Sequence, residues 1–406
     1  MAEPYEIPRE QLFDPRQLTD PYPVIAERRA KCPVAHQSTP VEAYFAYDYM
    51  DVKALLADRS GSRDPRSAKS DGVSRLQASE LGDTSRSMLF LDPPDHTRLR
   101  GLVSRAFTPK AVAAMAGPIQ MRTDALLDAV AEQPRFELVE ALAGPLPTMV
   151  IAEMLGVDPD DHTRFKRWSD AMVRLLDMGA SEEEKLAGSQ AREEFGDYLI
   201  EQVAARRQKP REDLMTALIR AADGEDRLSD EEIVATCRLL LAAGNITTTH
   251  LIGNAVHTLL SHPAELQKLL DEPSLIENVI EEVLRYEPPV LFTSRNTTTE
   301  VEVGGCPIGR GETVIASLAG ANRDPAEHPD ADRFDVSRDD PHHLSFGGGL
   351  HFCLGAHLAR LEGRIAIGSL FGRFPDLRLD PELPPVRALQ FGFRGFAAMA
   401  LRRGAA

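Results

Sequence analysis

The sequence predicts a mainly α protein with small β-sheets, organised as a single domain over residues 1–406. Three observations predict this fold class. From Asp92 to about Phe292 the chain consists of long amphipathic segments separated by Pro and Gly. One segment, Ser229 to Leu260, keeps its apolar character without a break, as a long helix would. Between Val301 and Ser317 the hydrophobic period shortens to that of β-strands.

The composition is that of a globular protein with a sizeable core: 43% hydrophobic and 27% charged residues, with 28 Gly and 29 Pro. It excludes disordered, collagen-like and coiled-coil chains. With 63 acidic and 46 basic residues the net charge is −17, so we expect no nucleic-acid partner. The N-terminus lacks a signal pattern, and no stretch approaches the roughly 20 apolar residues that span a bilayer. We therefore expect a cytoplasmic protein without a membrane span.

Capping boxes mark two helices. The first opens at Ser229-Asp230-Glu231-Glu232 and ends before His262-Pro263, a length on the order of 48 Å. The second opens at Ser274-Leu275-Ile276-Glu277 and ends before Pro288-Pro289. The first is long enough to cross an entire domain.

Glycine-rich turns mark small hairpins. They lie at Gly304-Gly305-Cys306-Pro307 and at Gly309-Arg310-Gly311. Helix-rich parts are predicted at about 92–292 and 354–371, and β-rich parts near the N-terminus, at 295–317 and at 375–403. Residues 61–87 are rich in Ser, Asp, Arg and Gly and lack a period, which is typical of a functional or disordered loop.

The four cysteines, Cys32, Cys237, Cys306 and Cys353, lie far apart, which argues against a disulfide framework or a zinc ribbon. Cys353 has the richest surroundings, the segment HHLSFGGGLHFCLGAHLAR at 342–360. Its three glycines permit positive φ and the close approach of a bulky group. The predicted helix that begins at about Leu354 favours a thiolate at Cys353.

Three interpretations of Cys353 compete. A buried structural cysteine is the default for any single cysteine. A zinc site could use Cys353 with neighbouring histidines, although structural zinc prefers pairs of cysteines two to four residues apart; those histidines are His342, His343, His351 and His357. A thiolate ligand of a haem iron is the third. Only the third accounts together for the glycines, the single cysteine and a neighbouring cation.

The motif FGGGLHFCLG at 346–355 matches Phe-Gly-x-Gly-x-His/Arg-x-Cys-x-Gly at every defined position. It resembles the haem-binding signature of the cytochrome P-450 superfamily, and the resemblance extends from about Phe13 to Arg403 and is greatest to soluble bacterial members. It implies a triangular-prism fold with a long central helix over haem b. It also implies that Cys353 is the axial iron ligand, with Phe346, Gly347 and Gly355 in the haem-binding loop.

Cations for the two haem propionates are the next feature. His96 and Arg100 lie four residues apart in DPPDHTRLR and would otherwise be read as part of a solvated basic helix. The resemblance implies that His96, Arg100, Arg295 and His351 bind the propionates, since two carboxylates at a partly buried site need cations.

A glutamate and an arginine three residues apart, Glu282 and Arg285, would by default form a weak surface ion pair. They resemble the Glu-x-x-Arg of the superfamily. The resemblance implies that Arg333 completes a buried structural network with them, which supports the Cys353 loop.

The long predicted helix contains Ala243-Gly244-Asn245-Ile246-Thr247, where a mid-helix glycine costs about 1 kcal/mol relative to Ala. The resemblance implies that this stretch crosses the oxygen side of the haem, kinks at Gly244 and passes protons through an acid–threonine pair. Thr247 matches that threonine, but Ile246 stands at the acid position and carries no proton. Either Thr247 and Thr248 only bond to carbonyls one turn back, or proton delivery runs through Thr247, ordered water or Asn245. We favour the second.

Electron supply must come from separate proteins, because no flavin or dinucleotide segment is visible. The resemblance implies a ferredoxin and a ferredoxin reductase, so that NAD(P)H acts only indirectly. A basic patch for the ferredoxin could comprise Arg98, Arg105, Lys110, Arg360 and Arg364.

The substrate pocket implied by the resemblance is mainly apolar and comprises Leu240, Ala243, Thr247, Val290, Leu291, Phe292 and Phe391. A terpenoid, steroid, fatty acid or polyketide would fit. The implied reaction is hydroxylation: one oxygen atom of O2 enters a C–H bond. The alternatives are a peroxide-using haem-thiolate peroxygenase or isomerase, motivated by Ile246, and a non-enzymatic haem-based sensor.

Overall fold

The structure is a computed structural model that describes residues 3–8, 19–38, 42–70, 74–75, 86–175, 180–222, 228–390 and 392–404. The helices are α1 (Tyr22–Lys31), α2 (Tyr49–Ala57), α3 (Asp95–Val103), α4 (Pro109–Ala114), α5 (Ala116–Asp128), α6 (Pro145–Leu155), α7 (His162–Arg174), α8 (Glu182–Gln208), α9 (Leu214–Ala222), α10 (Asp230–Ser261), α11 (Pro263–Asp271), α12 (Ile276–Tyr286), α13 (Leu318–Ala321) and α14 (Ala356–Arg373). The strands are β1 (Tyr5–Glu6), β2 (Val34–Gln37), β3 (Ala43–Ala46), β4 (Gly61–Ser62), β5 (Arg135–Glu137), β6 (Phe292–Thr297), β7 (Val301–Val303), β8 (Cys306–Ile308), β9 (Thr313–Ser317), β10 (Arg378–Leu379), β11 (Val386–Arg387), β12 (Phe396–Ala398) and β13 (Ala400–Arg402). The predicted fold class, mainly α with small sheets, is confirmed.

The first of two compact units comprises Met1–Thr97, Leu284–Phe334 and Asp340–Cys353. Its six-stranded mixed sheet has the order β1-β2-β3-β9-β6-β4. A buried cluster that includes Val52 and Leu56 of α2 and Val314 of β9 forms its core. This sheet fixes the position of β6.

The second unit comprises Arg98–Val283, Asp335–Asp339 and Leu354–Ala406. Its centre is α10, which packs against α6, α8 and α14. A three-stranded sheet, β10-β13-β5, and a two-stranded sheet, β11-β12, complete it. The prediction of a single domain stays a prediction.

The long central helix is confirmed almost residue for residue. Ser229 caps α10, and the reciprocal bonds between Ser229 and Glu232 form the predicted capping box. The helix ends at Ser261, next to His262-Pro263. Among the described residues, no helix is both long and apolar enough to cross a bilayer.

Two predicted turns differ from the structure. A 3-10 turn, Pro273–Leu275, precedes α12, so Ser274 lies inside that turn and its hydroxyl donates to Glu272 instead of capping the helix. Proline is favoured in a first helical turn, which explains the early start. The hairpin at Gly304-Gly305 is confirmed between β7 and β8. The segment Gly309-Arg310-Gly311 is not a hairpin, because it connects β8 to β9 and these strands belong to different sheets.

Candidate active site

The loop before α14 presents one cysteine. The backbone N–H of Cys353 donates to the carbonyl of Phe346 at 2.8 Å, which closes the loop around the glycines. Gly347 and Gly349 have φ of 70° and 62°, as the three glycines predict. Cys353 is half-buried, whereas the other three cysteines are buried. It is therefore the most accessible thiol of the chain.

The glycines also meet a packing requirement. A Cβ on Gly349 would lie 2.3 Å from the carbonyl oxygen of Leu56, and one on Gly348 would lie 3.1 Å from the Leu56 Cβ. We expected a bulky group to approach this backbone, and at these two positions the structure places α2 there. Among the described residues, a Cβ on Gly347 would have only the His351 carbonyl within 4 Å, at 3.8 Å.

Helix α14 begins at Ala356, two residues later than predicted, with Gly355 at its N-cap. Cys353 lies two residues before that N-cap, at the end of the helix where the dipole favours negative charge.

Four predicted propionate ligands are placed as follows. His96 is buried on α3, and its ring centroid lies 4.2 Å from that of His351. Arg295 is buried on β6, and Arg100 is half-buried on α3. Burial lowers the pKa of Arg295 to about 10, against the opposing effect of Asp92. A buried cation of this kind fits an acidic group such as a propionate.

Arg63 is a cation that sequence reasoning missed. It follows β4 and donates from Nη1 to the Ser294 carbonyl and hydroxyl, both at 2.9 Å. Burial and, second, the charge of Arg295 lower the pKa of Arg63 to about 10. Its position beside Arg295 results from the pairing of β4 with β6, in which Gly61 and Ser62 lie opposite Thr297 and Asn296. No local sequence pattern in this loop predicts that pairing.

Helix α10 keeps Thr247 in a helical hydrogen bond. Its hydroxyl donates to the Ala243 carbonyl at 2.7 Å, as the structural interpretation of this threonine predicts. Ala243 is exposed although it lies in the middle of a largely buried helix. A Cβ on Gly244 would lie 2.7 Å from Ile151 Cδ1, so close packing against α6 requires this glycine.

The two residues between Gly244 and Thr247 are both buried, and Asn245 is hydrogen-bonded to neighbouring side chains. The Asn245 amide donates to Ser169 of α7 and accepts from Thr249 at 3.2 Å. At 100° per residue, Asn245 and Thr247 lie on nearly opposite faces of the helix, so the structure does not bring them together. Ile246 is buried, 3% exposed.

A family model described as Cytochrome P450 matches residues 36–389. The chain belongs to the cytochrome P450 family. Cytochrome P450 monooxygenase PikC of Streptomyces venezuelae is 41% identical over 367 residues, 89% of this chain and 85% of PikC. The 6-deoxyerythronolide B hydroxylase of Saccharopolyspora erythraea is 40% identical over 373 residues, 89% and 90% of the two chains. The crystal structure of myxobacterial cytochrome P450 CYP267B1 with myristic acid aligns at TM-score 0.89 and 38% identity, covering 98% of this chain and all of that one. This chain is a cytochrome P450 monooxygenase.

Haem is the cofactor that the P450 family implies, and the residues fit it. Cys353 offers an accessible thiol ahead of a helix N-terminus. In the same unit as Cys353, the buried Arg295 offers a cation, and the rings of His96 and His351 lie together. In the second unit, Ala243 and Thr247 give α10 an accessible face. Cys353 would bind the iron, and Arg295, His96 and His351 would bind propionates.

The zinc interpretation of Cys353 lacks support in the part of the chain that the structure describes. There, no three His, Cys, Asp or Glu side chains form a group that could hold a metal ion. His342 instead pairs with Glu327 at 2.9 Å.

Glu282 of this P450 is contacted by Arg338, an arginine that the sequence analysis did not name. Glu282 is fully buried and accepts from the Asp335 N–H at 3.0 Å and from Arg338 Nε at 3.4 Å. Arg285 donates to the carbonyls of Asn322, Ala331 and Arg333. Arg333 is exposed and contributes its carbonyl oxygen, and the role of its side chain in the network stays a prediction.

The predicted pocket residues are only partly accessible. Leu240 is buried on α10. Val290, Leu291 and Phe292 are half-buried at the start of β6. Phe391 lies outside the described residues.

Most of the predicted basic patch is paired within the molecule. Arg98 pairs with Glu232, Arg360 with Glu281 and Arg364 with Glu277. Arg105 and Lys110 are exposed, and neither forms an ion pair with a residue that the structure describes. The net positive surface that a ferredoxin could use is therefore smaller than predicted.

Proposed function

We propose that this P450 is a haem-thiolate monooxygenase that hydroxylates a lipophilic small molecule, with electrons from a ferredoxin and its reductase. The observation that carries the proposal is Cys353, a half-buried thiol between a glycine loop and a helix N-terminus, in a chain whose other cysteines are buried. When bound, haem would supply oxygen activation, and the chain would supply the thiolate, the cations and the pocket.

Thr247 is the residue proposed to hold a proton near the reacting oxygen. Its hydroxyl donates to the Ala243 carbonyl, and its oxygen can accept a hydrogen bond from water. In the relay the hydroxyl turns from this carbonyl, donates its own proton toward the reacting oxygen and takes a proton from that water. Because Asn245 is engaged by Ser169 and Thr249, we assign the relay to Thr247 and water. Asn245 then has a structural role between α10 and α7.

The substrate class is inferred from the residues predicted for the pocket and from similar proteins. Leu240, Val290, Leu291 and Phe292 offer no charge to a substrate. The named relatives include a 6-deoxyerythronolide B hydroxylase and a P450 in complex with myristic acid. We infer a polyketide-like or fatty-acyl substrate, a cytoplasmic location and indirect use of NAD(P)H.

The second candidate is a peroxygenase that needs no redox partner. One observation favours it: the acid position holds Ile246, buried at 3% exposure. Such a residue supplies no proton for the reduction of O2, whereas hydrogen peroxide already carries both protons.

Two parallel assays separate these candidates. One contains NADPH, ferredoxin, ferredoxin reductase and O2, and the other only hydrogen peroxide, each with macrolide precursors and C12–C16 fatty acids. The proposal predicts product in the first assay and increased peroxide release in Thr247→Ala relative to Thr258→Ala, a control threonine on the same helix. Product in the second assay alone would establish the peroxygenase. Haem and ligand binding without product in either would establish a sensor.

A further inference from the structure

Two guanidinium groups meet on one face of the six-stranded sheet. The antiparallel register of β4 and β6 pairs Gly61 with Thr297 and Ser62 with Asn296. Continued by one residue, this register places Arg63 opposite Arg295. Directly opposed like charges destabilise a strand pair, so this position is costly unless an anion joins them.

The side chains converge as the register predicts. Arg295 lies over Gly61, where a Cβ would be 3.3 Å from the Arg295 Cβ, Cγ and Cδ. Because Gly61 and Arg63 are two residues apart in an extended segment, they face the same side. Nη1 of Arg63 and Nη1 of Arg295 donate to one carbonyl oxygen, that of Ser294, at 2.9 and 2.8 Å. Two cations therefore share one neutral acceptor.

The nearby carboxylate of Asp92 does not neutralise both the Arg63 and the Arg295 guanidinium groups. Asp92 is the acidic group that acts on the two arginines. Its oxygens accept from the Arg63 backbone N–H and the Ser62 hydroxyl, not from a guanidinium. Among the described residues, Nη2 of Arg63 and Nη2 of Arg295 have no hydrogen-bond partner, so these donors are available to a ligand.

We propose that Arg63 and Arg295 bind one carboxylate group jointly. Two guanidinium groups satisfy the four lone-pair sites of a carboxylate, and each charge-assisted bond is stronger than a neutral one. Phe90, whose ring centroid lies 5.6 Å from the Arg63 Cζ, supports the guanidinium from its face. The carboxylate comes either from a haem propionate or from an acidic substrate. The propionate source rests on the proposed haem site.

Arg63→Gln and Arg63→Lys test this, with Arg66→Gln as the matched control. Arg66 lies three residues away, is exposed and pairs with Asp64. The first arm measures transfer of haem from the holoprotein to excess apomyoglobin. The second measures binding of tetradecanoic acid and of its methyl ester by the spin-state change of the haem.

A propionate source predicts haem loss about tenfold faster in Arg63→Gln than in the control. A substrate source predicts about tenfold weaker binding of the acid with unchanged binding of the ester. In either arm the loss should be smaller in Arg63→Lys than in Arg63→Gln, since lysine keeps the charge. Equal behaviour of Arg63→Gln and Arg66→Gln in both arms overturns the proposal. Equal loss of acid and ester binding that lysine does not rescue also overturns it, because it indicates only a structural role for Arg63. If the wild type shows a thiolate-ligated haem spectrum and forms product, the proposed function stands whatever this experiment shows about Arg63.

Discussion

Glu362 is expected to make this P450 less stable as pH rises. It lies on α14, 2% exposed, and among the described residues its Oε2 has no hydrogen-bond partner. Burial raises the pKa of Glu362 from 4.5 to about 8. The folded state therefore holds this carboxyl protonated at neutral pH, whereas the unfolded state ionises it.

The sign and size of the effect follow from this difference. Below pH 4.5 both states are protonated, and Glu362 costs nothing through its charge. Between pH 4.5 and about 8 folding must take up a proton, so stability falls as pH rises. At pH 7 the cost is on the order of 3 kcal/mol. For a chain of 406 residues this corresponds to a difference of about 4 °C in melting temperature.

Glu362→Gln removes the charge and keeps the shape. Thermal unfolding of the holoprotein is measured at pH 5, 6, 7 and 8. The melting temperature of the variant should exceed that of the wild type by about 4 °C at pH 7 and by little at pH 5. The exposed Glu132→Gln is the control and should show no such trend. A difference between Glu362→Gln and wild type that stays constant with pH would refute the reasoning, because it would mean that Glu362 titrates alike in both states.

Three further predictions concern the active site. Ile246→Asp or Ile246→Glu should raise the share of NADPH electrons recovered as product if proton supply limits coupling; unchanged coupling in both would place the native route elsewhere. Arg338→Gln should lower the free energy of unfolding by about 3 kcal/mol, because it removes a charged donor from the fully buried Glu282 carboxylate, and the exposed Arg333→Gln by less than about 1 kcal/mol; equal losses in denaturant titrations would contradict this difference. Gly349→Ala, with its Cβ 2.3 Å from the α2 backbone, should reduce haem content in purified protein, unlike Gly372→Ala, whose Cβ would have no atom of the described residues within 4 Å.

Local signals predicted much of the fold. The capping box at Ser229 and the proline after His262 gave the ends of α10, because both act through bonds within a few residues. The same pattern at Ser274 was misleading, because Pro273 begins a turn earlier. The segment at Gly309 resembled a hairpin, although the flanking strands pair elsewhere.

Local sequence patterns did not predict the contacts between segments that are distant in the chain. The sequence motif placed Cys353 correctly in its loop, but the contact of Arg338 with Glu282 depends on how the segment after α12 folds back. Arg63 was missed because its loop has no period and its partner is 232 residues away, at Arg295. Such pairs arise from strand register, which the sequence of one strand does not determine.

The central claim, a thiolate-ligated haem at Cys353, is tested most directly by the spectrum of the reduced carbon monoxide complex. The holoprotein is reduced with dithionite, carbon monoxide is added, and the Soret band is recorded for the wild type and for Cys353→Ala. Our account predicts a long-wavelength band in the wild type that is lost in the variant. A band at the shorter wavelength of histidine-ligated haem, or no haem in the wild type, would contradict it.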